Sequence, residues 1–120
     1  MIGYVTNIEQ ETIHNIYFRR VLYTSENQQL VIMNLKPQED IGGEIHKEVD
    51  QFIRIEKGKG LVQIDNYMYE LSDGISINIP KGTFHNIINT SLTEPLKLYT
   101  IYSPPNHPFN RIDVDKPLND

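Results

Sequence analysis

The sequence predicts an all-β fold, and three observations lead to this prediction. Ile75, Ile77 and Ile79 alternate with polar neighbours, as expected where successive side chains point to opposite faces of a sheet. Turn signals rich in Gly, Pro, Asn and Asp recur along the chain and divide it into short segments. No segment carries the apolar stripe of an amphipathic helix. Short strands with frequent turns are typical of a β-sandwich or β-barrel.

Eight β-rich runs follow one another between these turns. They are 16–24, 29–35, 51–56, 61–65, 67–71, 75–79, 85–89 and 96–102. The turn signals that separate them stand at 25–27, 36–37, 42–43, 57–60, 65–66, 72–74, 80–82 and 94–95. The tail 103–120 contains four of the seven prolines, and proline has no N–H to donate within a central strand. We therefore expect the tail to form an extended arm.

Composition excludes several kinds of site. The chain has 120 residues, 11 Lys and Arg against 16 Asp and Glu, a formal net charge of -5 and no Cys. This length fits one domain, residues 1–120. Without Cys there is no disulfide, thiolate nucleophile or iron–sulfur cluster, so a metal site must use oxygen and imidazole nitrogen.

Charge and hydropathy also restrict the partners. The net acidity argues against binding to the phosphates of nucleic acid. The sequence has neither a signal-peptide pattern nor a run of about 20 apolar residues that would cross a membrane. We therefore expect no nucleic acid, no membrane partner and a cytoplasmic location.

The segment 42–52 brings candidate metal ligands close together in sequence. His46 and Glu48 are two residues apart, so in a strand they share a face and can point together into a barrel. Gln51 lies at an odd spacing from Glu48 and joins them only if the chain turns or bulges around 49–50. Imidazole, carboxylate and amide groups together form a ligand set for a divalent ion.

A second segment, from Gly74 to Asn89, presents a histidine after a turn. Pro80 and Gly82 make a turn that returns the chain and places His85 at the start of the next strand. The order of residues is Gly, five residues, Pro, one residue, Gly, two residues, His, three residues, Asn. This order resembles the second motif of the cupin superfamily throughout.

The segment 42–52 resembles the first cupin motif in a degraded form. His46 stands at the first His of that motif, Glu48 at the place of the second His, and Gln51 at the usual Glu. Because an amide is a weaker ligand than a carboxylate, we expect the metal to be lost more easily than from a cupin with the complete motif.

The wider pattern, from 18–22 through 50–54 to 102–108, is similar to small bacterial single-domain cupins of type 2 that are described as mannose-6-phosphate isomerase-like. The resemblance implies a double-stranded β-helix, also called a jelly-roll barrel. It also implies one divalent metal ion (Mn, Fe, Ni, Co or Zn). The ligands that it implies are His46, Glu48, Gln51 and His85.

Three functional hypotheses follow from this implied site. A metal ion with open positions binds the carbonyl and hydroxyl oxygens of a small ligand, so the first is isomerase-like chemistry on a sugar or sugar derivative. Glu48, if it is not a ligand, is the general base of that reaction. The second is an Fe(II)-dependent oxygenase, because two His and one carboxylate are the ligands of non-haem iron oxygenases. The third is a non-catalytic binding or sensor domain.

Residues outside the two motifs give weaker indications. We interpret His14 as a surface residue and His107 as a structural residue of the arm, with a place at the pocket mouth as the alternative. If Gln51 faces inward, Phe52 faces outward beside Arg54 and needs cover from another segment or subunit. Family members usually dimerise through this face, so we expect a homodimer with two-fold symmetry.

Overall fold

The computed structural model describes residues 2–118 and confirms the all-β prediction, with one short helix added. The helix α1 spans Ile8–His14. The strands are β1 Arg19–Thr24, β2 Gln29–Leu35, β3 Asp50–Lys57, β4 Gly60–Ile64, β5 Tyr67–Leu71, β6 Ser76–Ile79, β7 His85–Asn89, β8 Leu96–Ser103 and β9 Ile112–Asp113.

Two antiparallel sheets enclose a shared core. The larger sheet has the strand order β6-β3-β8-β2-β1-β9, and the smaller has the order β5-β4-β7. Buried apolar side chains from both sheets form one cluster, with Ile53 and Leu98 from the larger sheet and Val62 and Ile87 from the smaller. Strands distant in sequence are neighbours in space, as β8 is between β3 and β2. This arrangement is the predicted jelly-roll barrel.

The helix α1 is an element that the sequence pattern does not predict. It has two turns and a single buried side chain, Thr12, so it has no apolar stripe to recognise. Asn7 caps its N-terminus by accepting a hydrogen bond of 3.1 Å from the Gln10 amide. The helix packs on β8, β2 and β3. Within residues 2–118, no helix has the length and apolar composition needed to cross a membrane.

The inward faces of β3, β8 and β2 are stacked in layers. Along β3, Gln51 and Ile53 are buried and alternate with half-buried neighbours, as the sequence pattern predicts. Gln51 pairs with Tyr102 of β8, and Tyr102 pairs with Gln29 of β2. These three buried polar side chains form one layer at one end of the barrel. The next layer begins with Ile53 and Thr100, below which the core is apolar.

The tail after β8 returns along the edge of the larger sheet. Its strand β9 pairs with β1, and Asp113 accepts a hydrogen bond of 2.7 Å from the buried guanidinium of Arg19. An edge position suits a segment interrupted by prolines, because an edge strand need not donate on both sides. The sequence pattern does not predict β9, which has only two residues.

Candidate functional site

His46 and His85 lie side by side at the polar end of the barrel. Their ring centroids are 5.3 Å apart, with an angle of 49° between the ring planes. The backbone joins the segments that carry them: Glu44 and His85 exchange two hydrogen bonds of 2.9 and 3.0 Å, and the Gly82 amide donates to the His46 carbonyl at 2.7 Å. The fold therefore brings together the two segments that the sequence motifs single out.

The turn before β7 places His85. Gly82 has a φ of +81°, a conformation that L-residues with a side chain rarely adopt. The Lys81 amide donates a hydrogen bond of 2.9 Å to the Asp50 carboxylate, at the start of β3. The turn is thus tied to the larger sheet, and β7 begins with His85 pointing inward, where it is 4% exposed.

His85 is held as a neutral imidazole with one defined tautomer. Its Nδ1 lies 3.0 Å from the Thr83 carbonyl, and a carbonyl oxygen only accepts hydrogen bonds, so Nδ1 carries the hydrogen. Burial lowers the pKa of His85 below its usual 6.5, the Thr83 carbonyl opposes this shift, and the neighbouring His46 lowers the pKa further. Nε2 therefore offers a lone pair near neutral pH, as a metal ligand requires.

His46 has a carboxylate beside it, and that carboxylate belongs to Glu44. His46 Nε2 lies 3.1 Å from Glu44 Oε2, yet Nε2 is buried and has no hydrogen-bond partner among the described residues. The two atoms are therefore close without the alignment of a hydrogen bond. Two ligands bound at about 2.1 Å and roughly at a right angle on one ion have donor atoms about 3.0 Å apart. The pair thus has the spacing of neighbouring metal ligands.

Gln51 presents its amide oxygen without a partner. Its side chain is 6% exposed, and its Nε2 donates a hydrogen bond of 3.0 Å to Thr100 Oγ1. Its Oε1 is buried and has no partner within residues 2–118. Buried amide oxygens are nearly always hydrogen-bonded. The Thr100 hydroxyl thus turns the amide so that its oxygen remains available as a donor atom to a ligand.

Glu48 does not join this group. Its side chain is exposed, whereas Glu44 lies next to His46. Glu44 and Glu48 each lie two residues from His46, one before it and one after it. In an extended segment, either side chain can therefore share a face with His46. The motif register favours Glu48 and misses Glu44. The signal that selects Glu44 is its two-way backbone pairing with His85, which appears only in the folded chain.

The side chains around His46 carry nitrogen and oxygen atoms of the kinds that bind a divalent metal ion, although the structure does not gather them into a formed metal site. Within residues 2–118, no three His, Asp or Glu side chains form a group that could hold a metal. Besides Glu44, His46 and His85, the Gln51 amide offers a buried oxygen, Oε1, which like His46 Nε2 has no hydrogen-bond partner within residues 2–118. Two imidazoles, a carboxylate and an amide oxygen are a nitrogen and oxygen set suited to first-row divalent ions.

A hydrogen-bond network holds the segment that carries Glu44. The side chain of Asn86 donates to Asp40 at 2.9 Å and accepts from the Gly42 amide at 2.9 Å. Lys116 of the tail donates to the same Asp40 carboxylate at 2.8 Å. The pKa of Asp40 is lowered, first by the hydrogen bond from Lys116 and then by that from Asn86. Asp40 therefore stays ionised and ties the segment to both β7 and the tail.

Glycine allows this segment to approach β7 closely. A Cβ atom at Gly43 would lie 2.7 Å from the ring of Phe84, which is closer than real Cβ contacts allow. Phe84 directly precedes His85 in the chain. The close approach of Gly43 therefore helps to bring Glu44 near the two histidines.

Comparison with known proteins shows which family of sequences this chain resembles. The family model described as Cupin domain matches residues 31–102, which include His46, Gln51 and His85. An uncharacterized protein of Acanthamoeba polyphaga mimivirus is 53% identical over 117 residues, 95% of this chain and 73% of that protein. The uncharacterized protein YrkC of Bacillus subtilis is 46% identical over 119 residues, 94% of this chain and 63% of that protein. The chain thus spans less than two thirds of YrkC.

A solved structure shows the same similarity in three dimensions. The crystal structure of a Bacillus halodurans protein at 1.41 Å resolution has a TM-score of 0.92 and 45% identity. The match covers 94% of this chain and 89% of that chain. The similarity therefore extends beyond the residues that the family model matches.

Proposed function

The chain belongs to the cupin family, and we propose that it binds one divalent metal ion and acts on a small oxygen-rich metabolite by isomerase-like chemistry on a sugar or sugar derivative. The observation that carries the proposal is that two buried atoms, His46 Nε2 and Gln51 Oε1, have no hydrogen-bond partner among the described residues, and that the ring of His46 lies beside that of His85. An unsatisfied buried polar atom costs about 1–3 kcal/mol. Two of them at the polar end of the barrel support a site retained for a ligand.

The ligand set that we propose has four members, and Glu44 takes the position that the motif register gives to Glu48. When bound, a divalent ion of the series Mn, Fe, Ni, Co or Zn supplies Lewis-acid stabilisation of negative charge on a carbonyl oxygen. The chain itself keeps His85 neutral by burial and orients the Gln51 amide through Thr100. The ligands are Glu44, His46, Gln51 and His85.

Metal content tests this proposal directly. We expect about one divalent ion per chain in protein purified without chelator or reconstituted with Mn, Fe, Ni or Zn. Glu44→Gln should weaken metal affinity at least about tenfold because it removes the anionic ligand. Glu48→Gln is the matched control and should leave the affinity unchanged.

Two outcomes would count against the proposal. If the wild-type protein takes up none of these ions, the metal-dependent activity is excluded and the non-catalytic binding hypothesis is favoured. If Glu48→Gln weakens metal binding and Glu44→Gln does not, the carboxylate ligand is Glu48, as the motif register predicts, and not Glu44.

The reaction class needs a separate measurement. Isomerisation through an enediolate exchanges a carbon-bound hydrogen next to the carbonyl with solvent. We expect metal-loaded protein in deuterium oxide to incorporate deuterium into a member of a panel of aldoses and ketoses, followed by proton NMR. Oxygen consumption by the Fe(II)-loaded protein with these compounds, without deuterium incorporation, would favour the oxygenase instead.

The outer face of β3 supports the proposal of a homodimer. Phe52 and Tyr99 lie with ring centroids 6.3 Å apart beside an open groove of about 290 Å³ whose lining includes Phe52 and Ile101. A second copy of the chain would cover these apolar side chains. Sedimentation velocity should show a dimer for the wild type and a monomer for Phe52→Glu. A monomeric wild type at micromolar concentration would contradict the proposal.

A further inference from the structure

We propose that a second site, at the end of the barrel away from the two histidines, binds a small phosphorylated molecule through Lys57, Lys59 and Lys97. The loops that follow β3, β5 and β7 meet there around an open cavity of about 560 Å³, which all three lysines line. The proposal goes beyond the proposed function, because it needs no metal ion and uses none of the proposed metal ligands.

The course of two strands separates this cavity from the histidines. Gln51 lies near the start of β3, in the polar layer described above, whereas Lys57 is the last residue of the same strand. This length of strand spans roughly 20 Å. The strand β7 begins with His85 and ends at Asn89, and the loop that follows it lines the cavity. A small molecule in the cavity therefore does not reach the histidines.

Gly58 brings the three loops together. It has a φ of +120°, and a Cβ atom there would lie 2.8 Å from the Pro95 carbonyl oxygen, so a glycine allows the turn after β3 to approach the loop before β8 this closely. The Gly58 amide also donates a hydrogen bond of 2.8 Å to the Asp73 carboxylate in the turn after β5. The two lysines beside Gly58 thus line the same cavity as Lys97.

The three lysines carry no ion pair. Within residues 2–118, no carboxylate oxygen lies within 4.0 Å of any of their ammonium groups. Lys57 and Lys59 are exposed, and Lys97 donates a hydrogen bond of 2.7 Å to the Asn15 carbonyl. An ammonium group has more than one N–H donor, so Lys97 also retains donors for a ligand.

The carboxylates that line the cavity leave it positive. Its lining has three lysines against Asp73 and Glu94, a formal charge of +1, on a chain whose net charge is -5. The Asp73 carboxylate already accepts from the Gly58 amide, and the Glu94 side chain is exposed. A positive cavity on an acidic protein favours a small anion over a polyanion such as nucleic acid, which the rest of the surface would repel.

Two of the lysines repel each other. Lys57 pairs with Lys97 across β3 and β8, and like charges at facing positions of a sheet are unfavourable. Lys97 is half-buried, and its pKa is lowered from the usual 10.5, first by burial and then by the charge of Lys57. An anion bound between the two ammonium groups relieves this repulsion.

The composition and the size of the cavity indicate the class of anion. Several cations around one cavity suit a group with more than one negative charge, and lysine is a common phosphate ligand. The hydroxyls of Ser72 and Ser91, which also line the cavity, are further donors of the kind that phosphate accepts from. The volume lies within the range of small-molecule sites, about 300–1,000 Å³. A phosphoryl group on a small organic molecule fits both features.

Calorimetric titration of inorganic pyrophosphate tests the proposal on the full-length protein, after removal of metal and chelator. We expect saturable binding at one site per chain. The double variant Lys57→Gln/Lys59→Gln should weaken pyrophosphate about tenfold, as expected for the loss of two exposed charge contacts. The double variant Lys47→Gln/Lys81→Gln removes the same charge from exposed positions beside the histidines. It is the matched control and should stay within about twofold of the wild type.

Lys97 is tested with two substitutions. Lys97→Gln removes the charge and should weaken pyrophosphate about tenfold, whereas Lys97→Arg keeps a charged donor and should stay within about threefold of the wild type. Thermal unfolding shows whether each variant is folded. If Lys97→Gln does not fold, the double variant at the two exposed lysines decides the outcome.

Backbone amide NMR locates the ligand. Pyrophosphate should shift the amide signals of 57–60, 72–74 and 91–95 and leave those of 44–46 and 82–86 unchanged. Shifts confined to the histidine end would overturn the proposal, and so would equal losses of affinity in the two double variants. Absence of saturation by about 10 mM pyrophosphate would also overturn it.

Two competitors test the class of ligand. Acetate carries a single charge and should bind at least about tenfold more weakly than pyrophosphate, so equal affinity would overturn the choice of a phosphoryl group. A short single-stranded oligonucleotide should not displace pyrophosphate. Displacement by the oligonucleotide at lower concentration than pyrophosphate itself would overturn the choice of a small molecule.

Discussion

The two histidines of the site lie 5.3 Å apart but are supported in different ways. His85 starts a regular strand, and its Nδ1 is bonded to the Thr83 carbonyl. His46 lies in an irregular segment, and its buried Nε2 has no hydrogen bond within the described chain. His85 is therefore part of the barrel as well as of the site, whereas the buried Nε2 of His46 adds no hydrogen bond to the fold within the described residues.

This difference shows which part of the site is stabilised by local structure and which part by long-range contacts. The β7 side is stabilised by local turn geometry and strand pairing, which need no ligand. The segment 40–46 depends on long-range hydrogen bonds to β7 and to the tail, and it contains the buried His46 Nε2, which has no hydrogen-bond partner among the described residues. A bound ion should therefore stabilise the protein mainly through this second side.

The largest expected effect comes from truncating each histidine in the metal-free protein. His85→Ala removes a buried ring and its hydrogen bond, so the free energy of unfolding should fall by about 2 kcal/mol. His46→Ala removes an unsatisfied atom along with the ring, so the loss should stay below about 1 kcal/mol. Urea denaturation with chelator present measures both. Equal losses would show that His46 has structural support that the contacts described above do not reveal.

The second-largest effect concerns the hydrogen bonds that link β7 to the segment 40–46. Asn86→Ala removes the bonds to the Gly42 amide and the Asp40 carboxylate, which should cost about 1–2 kcal/mol. Hydrogen exchange should accelerate at Gly42 more than along β7. Asn27→Ala, at an exposed position in the loop between β1 and β2, is the control. Uniform acceleration throughout the barrel would mean that Asn86 supports the whole fold rather than this segment.

The smallest effect is a pH dependence that originates at Asp40. Lys116 and Asn86 lower its pKa in the folded state, so its contribution is fully present above the unfolded pKa of about 3.9 and is lost as pH falls through the folded value. The group is partly solvated, so we expect no more than about 0.5 kcal/mol. The difference in unfolding free energy between wild type and Asp40→Asn should be constant from neutral pH to about 5 and shrink below about 4. A difference that grows below pH 4 would contradict this assignment.

Much of the barrel follows from the sequence because its signals are local. The runs at 29–35, 67–71 and 85–89 coincide with strands, since alternation and turn residues specify them without reference to distant contacts. The placement of His85 after the turn at 80–82 follows for the same reason. These elements have a regular backbone geometry, and a regular backbone produces a periodic pattern of apolar and polar residues in the sequence.

The proposed carboxylate ligand and the position of the tail do not follow from the sequence. Glu44 and Glu48 are equivalent by alternation, and only the pairing of Glu44 with His85 separates them. The position of the tail depends on the hydrogen bonds between Gln29 and the backbone of His107, which is a long-range arrangement. Irregular segments that are held by residues distant in sequence show no periodic pattern of apolar residues, so their positions cannot be predicted from the sequence.

The buried amide of Gln29 has a consequence for where this protein can be shortened. The family match ends at residue 102, which suggests a minimal domain that stops there. Such a chain would lose the tail that covers Gln29, whose amide makes three hydrogen bonds with the backbone of Asn106 and His107. Each lost hydrogen bond would cost about 0.5–1.5 kcal/mol. It would also strip the buried Arg19 of Asp113. The smallest autonomous unit therefore extends past the strands of the jelly roll, and a boundary drawn from the family alone would cut through the interior.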